Sequence, residues 1–298
     1  PIVPVAVSKN LETGEEELVV MHWRRGDPGK WVTLRMDARI LASRNHLAAL
    51  AAHGLEVNLQ NAGDLSLYLS GVFRVNSHLL PLTYSTSRMG LQEVDGKWLC
   101  LLGDRCVSAA GVAVAGRSDA GAGTLAGSLS FKATGAGETA LTEVFSTRGT
   151  IDGQRELMAL VAGFPKARVI MNAALAASVV TIARRPGFVL DVFAANGSSK
   201  STLTRLSASM FGRADDSGGH VGQEIPWSST LPSMELRGGM LSGLPMYIDD
   251  SKHLAGHGGG EKASSMVYTV GGGAKLRAEM GGTGTRSKKV MQTVAIST

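Results

Sequence analysis

Apolar and polar positions follow two regimes that meet near residue 145. Before that point the apolar runs are short and alternating. Glu17–Trp23 and Trp31–Met36 flank Gly26-Asp27-Pro28-Gly29, so strand, turn and strand predict a hairpin. Ser43-Arg44-Asn45-His46 opens an Ala/Leu helix that stops near Gly54. Leu65, Leu67 and Leu69 recur every second residue, which favours a strand, with a helix as the alternative. Residues 90–100 predict two strands around Asp95-Gly96. The Ala/Gly/Ser-rich stretch 107–138 fits β-structure with loops.

After residue 145 the periods lengthen. Residues 152–162 and 165–184 predict two helices, the second apolar on most faces and so expected in a domain interior. Pro186-Gly187 then leads into Phe188–Phe193, whose apolar character predicts a buried parallel strand. A Gly/Ser/Asn-rich loop and a helix over 201–211 follow, and this strand–loop–helix order is where chemistry is to be sought. The loop is Ala194-Ala195-Asn196-Gly197-Ser198-Ser199-Lys200-Ser201-Thr202. It resembles G-x-x-x-x-G-K-[ST], with Lys200 and Ser201 at the diagnostic positions and Ala194 and Ser199 where the pattern has glycine. Such a loop turns amide N–H groups onto phosphate oxygens at a helix N-terminus. In that role Lys200 reaches the β- and γ-phosphates and Ser201 ligates Mg²⁺, while a positive φ at Ser199 would carry a modest strain. The competing reading is a Ser-rich helix cap with an incidental lysine.

Leu244–Asp250, 49 positions beyond Lys200, is an apolar strand that ends in two carboxylates. Asp249 suits the Mg²⁺ shell, and Asp250 the polarisation of an attacking water, although it is one methylene shorter than glutamate. His253 and His257 are i,i+4, but the glycines around them oppose a helix, so both read as solvent-facing loop residues. Lys275, Arg277, Arg286, Lys288 and Lys289 surround Gly281-Gly282-Thr283-Gly284 and predict a basic β-hairpin.

Composition narrows the setting. Of 298 residues 44% are hydrophobic and 18% charged, which excludes a disordered polyampholyte. The formal charge of +5 is compatible with a polyanionic partner. Cys100 and Cys106 are too few for a disulfide framework or a zinc site and read as reduced thiols of a cytoplasmic protein. The longest apolar stretch, 169–183, is shorter than the roughly 20 residues that span a bilayer, and no secretion signal is visible. The start at Pro1 and the stop at Thr298 read as a piece excised from a longer polypeptide.

A family resemblance rests on the order of these pieces. It runs through Ser198–Thr202, Leu206-Ser207-Ala208-Ser209-Met210-Phe211-Gly212, Pro226-Trp227-Ser228-Ser229-Thr230 and Leu244-Pro245 before Asp249-Asp250. It continues with Tyr268 before Gly271–Ala278 and closes on Ile296-Ser297-Thr298. Ser87-Arg88-Met89-Gly90 extends it into the N-terminal part. The chain resembles the helicase-like, MCM-like AAA+ proteins of phage, plasmid and chromosomal-island replication, often fused to a primase and long catalogued as a domain of unknown function.

The resemblance implies an α/β P-loop NTPase core with a parallel sheet over 146–298, ending before the lid, and a smaller α+β domain over 1–145 that binds DNA or mediates oligomerisation. It implies an ATP hydrolase that acts as a helicase or translocase in replication of a mobile element, with ATP and Mg²⁺ as cofactors. Partners would be single-stranded or forked DNA, further copies in a ring (a hexamer) and a primase. Site residues would be Lys200, Asp250 and the sensor Ser297 for catalysis, and Ala195, Asn196, Gly197, Ser198, Ser199, Lys200, Ser201 and Thr202 for nucleotide. Ser201 and Asp249 would hold Mg²⁺, and the basic hairpin would grip DNA or supply an arginine finger through Lys275 or Arg277. The alternatives are a nucleotide-binding scaffold with a degenerate loop and a non-enzymatic DNA-binding module.

Overall fold

The computed structural model describes residues 2–23, 31–103, 105–109, 111–114, 129–132, 140, 142–145, 149–195, 197–214, 222–255, 258–272 and 291–298. The chain forms two compact units, Pro1–Thr86 and Ser87–Thr298. Compactness thus divides the chain well before residue 145, because strands just after Ser87 pair with a strand near residue 241.

In the first unit, β1 (Ile2–Asn10), β2 (Glu16–Trp23) and β3 (Trp31–Asp37) form an antiparallel meander. Then come α1 (Ala38–Ala42), α2 (Arg44–Ala49) and α3 (Ala62–Asn76). β4 (Leu82–Thr86) lies parallel to β1 on the far side from β2. Asp37 caps α1 by accepting from the Arg39 and Ile40 amides, and Ser43 caps α2. Alternation along β2 and β3 sends Leu18, Val20 and Met36 to one face, where they pack with Leu47, Leu50 and Leu69. The strand favoured around Leu65 is the helix α3. Leu65, Leu69 and Phe73 recur every four residues onto the core, while Leu67 is 76% exposed. Period two in leucine was a by-product of one leucine left in solvent.

In the second unit, β5 (Met89–Val94), β6 (Lys97–Leu102), β7 (Arg105–Ser108) and β8 (Gly111–Val114) are antiparallel neighbours in chain order. Asp95 (φ 50°) and Gly96 (φ 73°) make the expected turn between β5 and β6. The short β9 (Leu129–Phe131) precedes α4 (Ile151–Val161) and α5 (Pro165–Ile182). Next come β10 (Val189–Asp191), α6 (Lys200–Ala208), β11 (Glu224–Pro226) and α7 (Leu231–Met240). The unit closes with β12 (Leu241–Ser242), β13 (Met246–Asp249), α8 (Gly259–Val270) and β14 (Ala295–Ser297). β12 pairs in parallel with β5, through Leu241 opposite Met89.

The second sheet of this unit has the spatial order β10-β14-β13-β11, every pair parallel. Tyr247 and Leu190 both lie opposite Ile296, so β14 separates β10 from β13. Its core gathers Ile170, Ala173, Ala174 and Ala177 of α5 with Ala208, Tyr247, Val294 and Ile296. The alanines let α5 lie close to the strands. α5 is not interior on all faces, as expected from its composition: Val169, Leu175, Val179 and Ile182 are exposed. Among the described residues β10 likewise has a strand on one side only and is half-buried at most, and Phe193 just beyond it is 94% exposed. Among the described residues no helix is long and apolar enough to cross a membrane.

Candidate functional site

Parallel strands all end on one side, and in such sheets ligands settle at the carboxyl ends, in crevices between neighbouring strands. Here β10 ends at Asp191, β13 at Asp249 and β14 at Ser297. A cleft of about 640 Å³ opens at these ends. Ala194, Gly197, Ser198, Ser199, Lys200, Ser201 and Thr202 line one wall, and Asp249, Asp250, Ser251, Lys252 and Thr298 line the other. The loop lysine and the two strand-end carboxylates, 49 and 50 residues away in sequence, therefore share one cavity.

The loop turns on two positive-φ residues, Gly197 (77°) and Ser199 (62°). Ser199 is the N-cap of α6 in left-handed backbone, and its hydroxyl makes no capping bond. The first-turn amides of α6 are left without a side-chain cap, the condition under which a helix N-terminus attracts an anion. Lys200 Nζ bends back onto the loop, donating to the carbonyls of Ala194 (2.5 Å) and Ala195 (3.3 Å). Thr204 ties α6 to its own first turn through the Lys200 carbonyl (3.0 Å). Below the cleft, Tyr247 and Ser207 hydroxyls bond at 2.7 Å in the buried interior. Burial pushes the Tyr247 phenol above its ordinary range.

On the opposite wall Asp249 Oδ1 accepts from the Asp250 amide (2.8 Å) and from the Thr298 hydroxyl. Its Oδ2 accepts no bond among the described residues. Asp250 sits in left-handed backbone (φ 63°), and its Oδ2 is 3.2 Å from His253 Nε2. His253, read from the sequence as a solvent-facing loop residue, is half exposed and is also the partner of Asp250.

The expected sensor Ser297 is not on the cleft. It is 2% exposed, and its hydroxyl accepts from the Trp227 indole N–H at 3.0 Å. Thr298 lines the cleft instead. Because Tyr247 lies opposite Ile296, alternation places Thr298, not Ser297, on the face shared with Asp249. That signal required the register of β13 against β14. Asp191 and Lys252 also line the cleft and carried no sequence signal. Ala195 lies in the same loop, whereas Asn196, His257 and the basic group Lys275, Arg277, Arg286, Lys288 and Lys289 lie outside the described residues.

A family model described as "Domain of unknown function (DUF927)" matches residues 1–290. The fold is similar to that of a solved chain described as "SCCmec type IV Cch - active helicase", with a TM-score of 0.63 and 17% identity. The match covers 100% of this chain and 50% of that one, so this chain spans about half the length of its structural relative. No curated protein matches the sequence. With the family model running over nearly its whole length, the chain belongs to the DUF927 family, a domain of unknown function.

Proposed function

We propose that this chain carries the P-loop, AAA+-type ATPase core of a DNA helicase or translocase that serves replication of a mobile genetic element. The observation that carries the reading is the shared cleft: Lys200 at the start of α6 and Asp249 at the end of β13 line one cavity at the carboxyl ends of a parallel sheet. With β14 between them, β10 and β13 stand roughly 10 Å apart, at about 4.8 Å per strand. That gap suits the phosphate tail of a nucleotide. The structural relative is described as an active helicase, which supports the assignment of the motor's task.

The residues present fit Mg²⁺-ATP. Asp249 Oδ2 and the Ser201 hydroxyl are hard oxygen donors without a partner among the described residues, and Mg²⁺ takes few protein ligands alongside phosphates and waters. Bound Mg²⁺ would supply charge neutralisation at the phosphates. The chain's own groups do the rest. The α6 amides hold the phosphates, and Lys200 exchanges the Ala194 and Ala195 carbonyls for phosphate oxygens. Thr298 and the Asp250 amide hold Asp249 with Oδ2 turned free. The Asp250 carboxylate orients and polarises water for in-line attack. Ring assembly, a primase partner and DNA contact by Lys275, Arg277, Arg286, Lys288 and Lys289 belong to the same proposal.

The test is ATP hydrolysis with and without single-stranded DNA. Lys200→Ala should lose about 100-fold or more of the rate, the usual scale for removing a preorganised charge stabiliser. Undiminished hydrolysis in that variant defeats the motor reading. One observation favours a second reading, a nucleotide-binding scaffold: the Asp250 carboxylate is already engaged by His253. Tight Mg²⁺-nucleotide binding without turnover, unrelieved by Asp250→Glu and Ser199→Gly together, selects the scaffold.

A further inference from the structure

On the acid wall of the cleft the chain turns tightly straight after the two carboxylates, and the turn is tied down through its amides. The Asp250 amide donates to Asp249 Oδ1 (2.8 Å), the Ser251 amide to the Thr298 carbonyl (2.9 Å) and the His253 amide to the Asp250 carbonyl (3.2 Å). Ser251–Ala255 continues as a short 3₁₀ turn. The His253 imidazole then returns to the start of the turn, with Nε2 standing 3.2 Å from Asp250 Oδ2. His253 is thus joined to Asp250 through its backbone and again through its side chain.

Stability does not account for the second bond. The His253 and Asp250 side chains are 51% and 44% exposed, and an ion pair open to water contributes little to a fold. The backbone bond already closes the turn. The side-chain bond instead fixes a carboxylate. Asp250 lines the cleft and His253 is not among the lining residues, so the imidazole holds the acid without itself facing the cavity. It engages Oδ2 alone, and Oδ1 accepts no bond among the described residues. Asp250 has φ 63°, a left-handed backbone that aspartate adopts more readily than glutamate. The backbone thus selects the shorter acid, which also has one torsion fewer to freeze. The neutral Nε2–H tautomer donates this bond as well as the imidazolium does, so the contact does not depend on charge on the ring.

We propose that His253 is a positioning residue for ATP hydrolysis: by donating to Asp250 Oδ2 it holds that carboxylate with Oδ1 turned to the cleft, where the attacking water stands. The inference rests on the ATPase reading and adds to it a residue outside the cavity. It gives the Asp250–His253 contact the opposite sense from the one it has in a scaffold, where the engaged carboxylate is idle.

Steady-state ATP hydrolysis by the full chain, with Mg²⁺ and single-stranded DNA, is compared across variants alongside thermal unfolding. His253→Ala should lower kcat about ten-fold and leave KM for ATP and Tm near wild type, because a carboxylate free to wander costs alignment in the transition state and not ground-state binding. His253→Gln keeps an N–H donor at similar reach and should recover most of that loss. In an Asp250→Asn chain, His253→Ala should cost nothing further. An undiminished or raised kcat in His253→Ala, a His253→Gln chain as slow as His253→Ala, or losses that add in the double variant would each overturn the proposal. Should His253→Ala not fold, His253→Met fills the space without a donor and replaces it in every comparison. The two readings fail separately. Hydrolysis that survives Lys200→Ala defeats the motor, and this inference with it. Hydrolysis that falls in Lys200→Ala yet stands in His253→Ala defeats the positioning role alone.

Discussion

Ser199→Gly tests whether the loop before α6 is held in its shape by its surroundings. Ser199 has φ 62° and ψ 22°, inside the left-handed region. An L-residue there costs about 1–2 kcal/mol from the approach of Cβ to the following carbonyl. Glycine removes that contact, while its greater freedom in the unfolded chain takes back about 0.4–1 kcal/mol. The hydroxyl offsets nothing, since Ser199 makes no capping bond. The net expectation is a gain of about 1 kcal/mol, or roughly 2–4 °C in Tm for a unit of this size. Differential scanning calorimetry reads it directly, with two controls. Ser199→Ala keeps the strain and lacks only an idle hydroxyl, so it should fall within about 0.5 kcal/mol of wild type. Ser199→Val crowds a branched side chain into the same backbone and should destabilise. A Ser199→Gly chain no more stable than wild type, or a Ser199→Ala chain that loses the full 1 kcal/mol, would refute the backbone argument and assign the residue's value to its hydroxyl.

Gly187→Ala, at the entry to β10, should cost about 3 kcal/mol, because a Cβ would stand 1.9 Å from the Thr293 carbonyl oxygen, a backbone atom that cannot yield; urea unfolding measures it. Alkaline titration of stability tests the buried acids. Burial pushes the Cys100 thiol up to about 11, and burial with the neighbouring Cys100 pushes Cys106 up to about 12. Both pKa values are raised in the fold, so the unfolded chain ionises first. Stability is full below about pH 8.5 and falls as pH rises towards 11–12, by about 1.4 kcal/mol per pH unit per thiol, with Tyr247 joining above about pH 10. Cys100→Ala should remove one thiol's share of the slope, and a flat profile between pH 9 and 11 would contradict the burial. Thr298→Val should lose about 1.5–3 kcal/mol through the hydroxyl that Asp249 Oδ1 accepts, whereas Thr298→Ser should stay near wild type; thermal unfolding separates the two.

Local chemistry was legible where it sets structure by itself. A short apolar run marked β2 and alternation marked β3, Asp95-Gly96 marked the turn between β5 and β6, and Pro165 at the start of α5 marked where that helix begins. Legibility failed where a long-range partner decides. Leu65, Leu67 and Leu69 satisfy a period of two as well as they satisfy a helix until the core selects Leu65 and Leu69 and leaves Leu67 in water. β10 reads as interior because its residues are apolar, yet among the described residues it has a strand on one side only. The same limit explains Ser297. Which of two adjacent hydroxyls faces a carboxylate depends on the pairing of strands 49 residues apart, and no property of Ser297 or Thr298 encodes it.

Strain and register point to the same place by independent routes. Four non-glycine residues among those described have positive φ, and two of them, Ser199 and Asp250, lie on opposite walls of one cleft. Such conformations persist only where their surroundings over-determine them. For Ser199 the surroundings are the Lys200 ammonium drawn onto the loop carbonyls and the start of α6. For Asp250 they are its amide bonded to Asp249 and its carboxylate beside His253. Each strained residue adjoins the group with the most chemistry on its wall, the ammonium on one side and the strand-end carboxylate on the other. A surface crevice formed by chance between strand ends would have no reason to place both there.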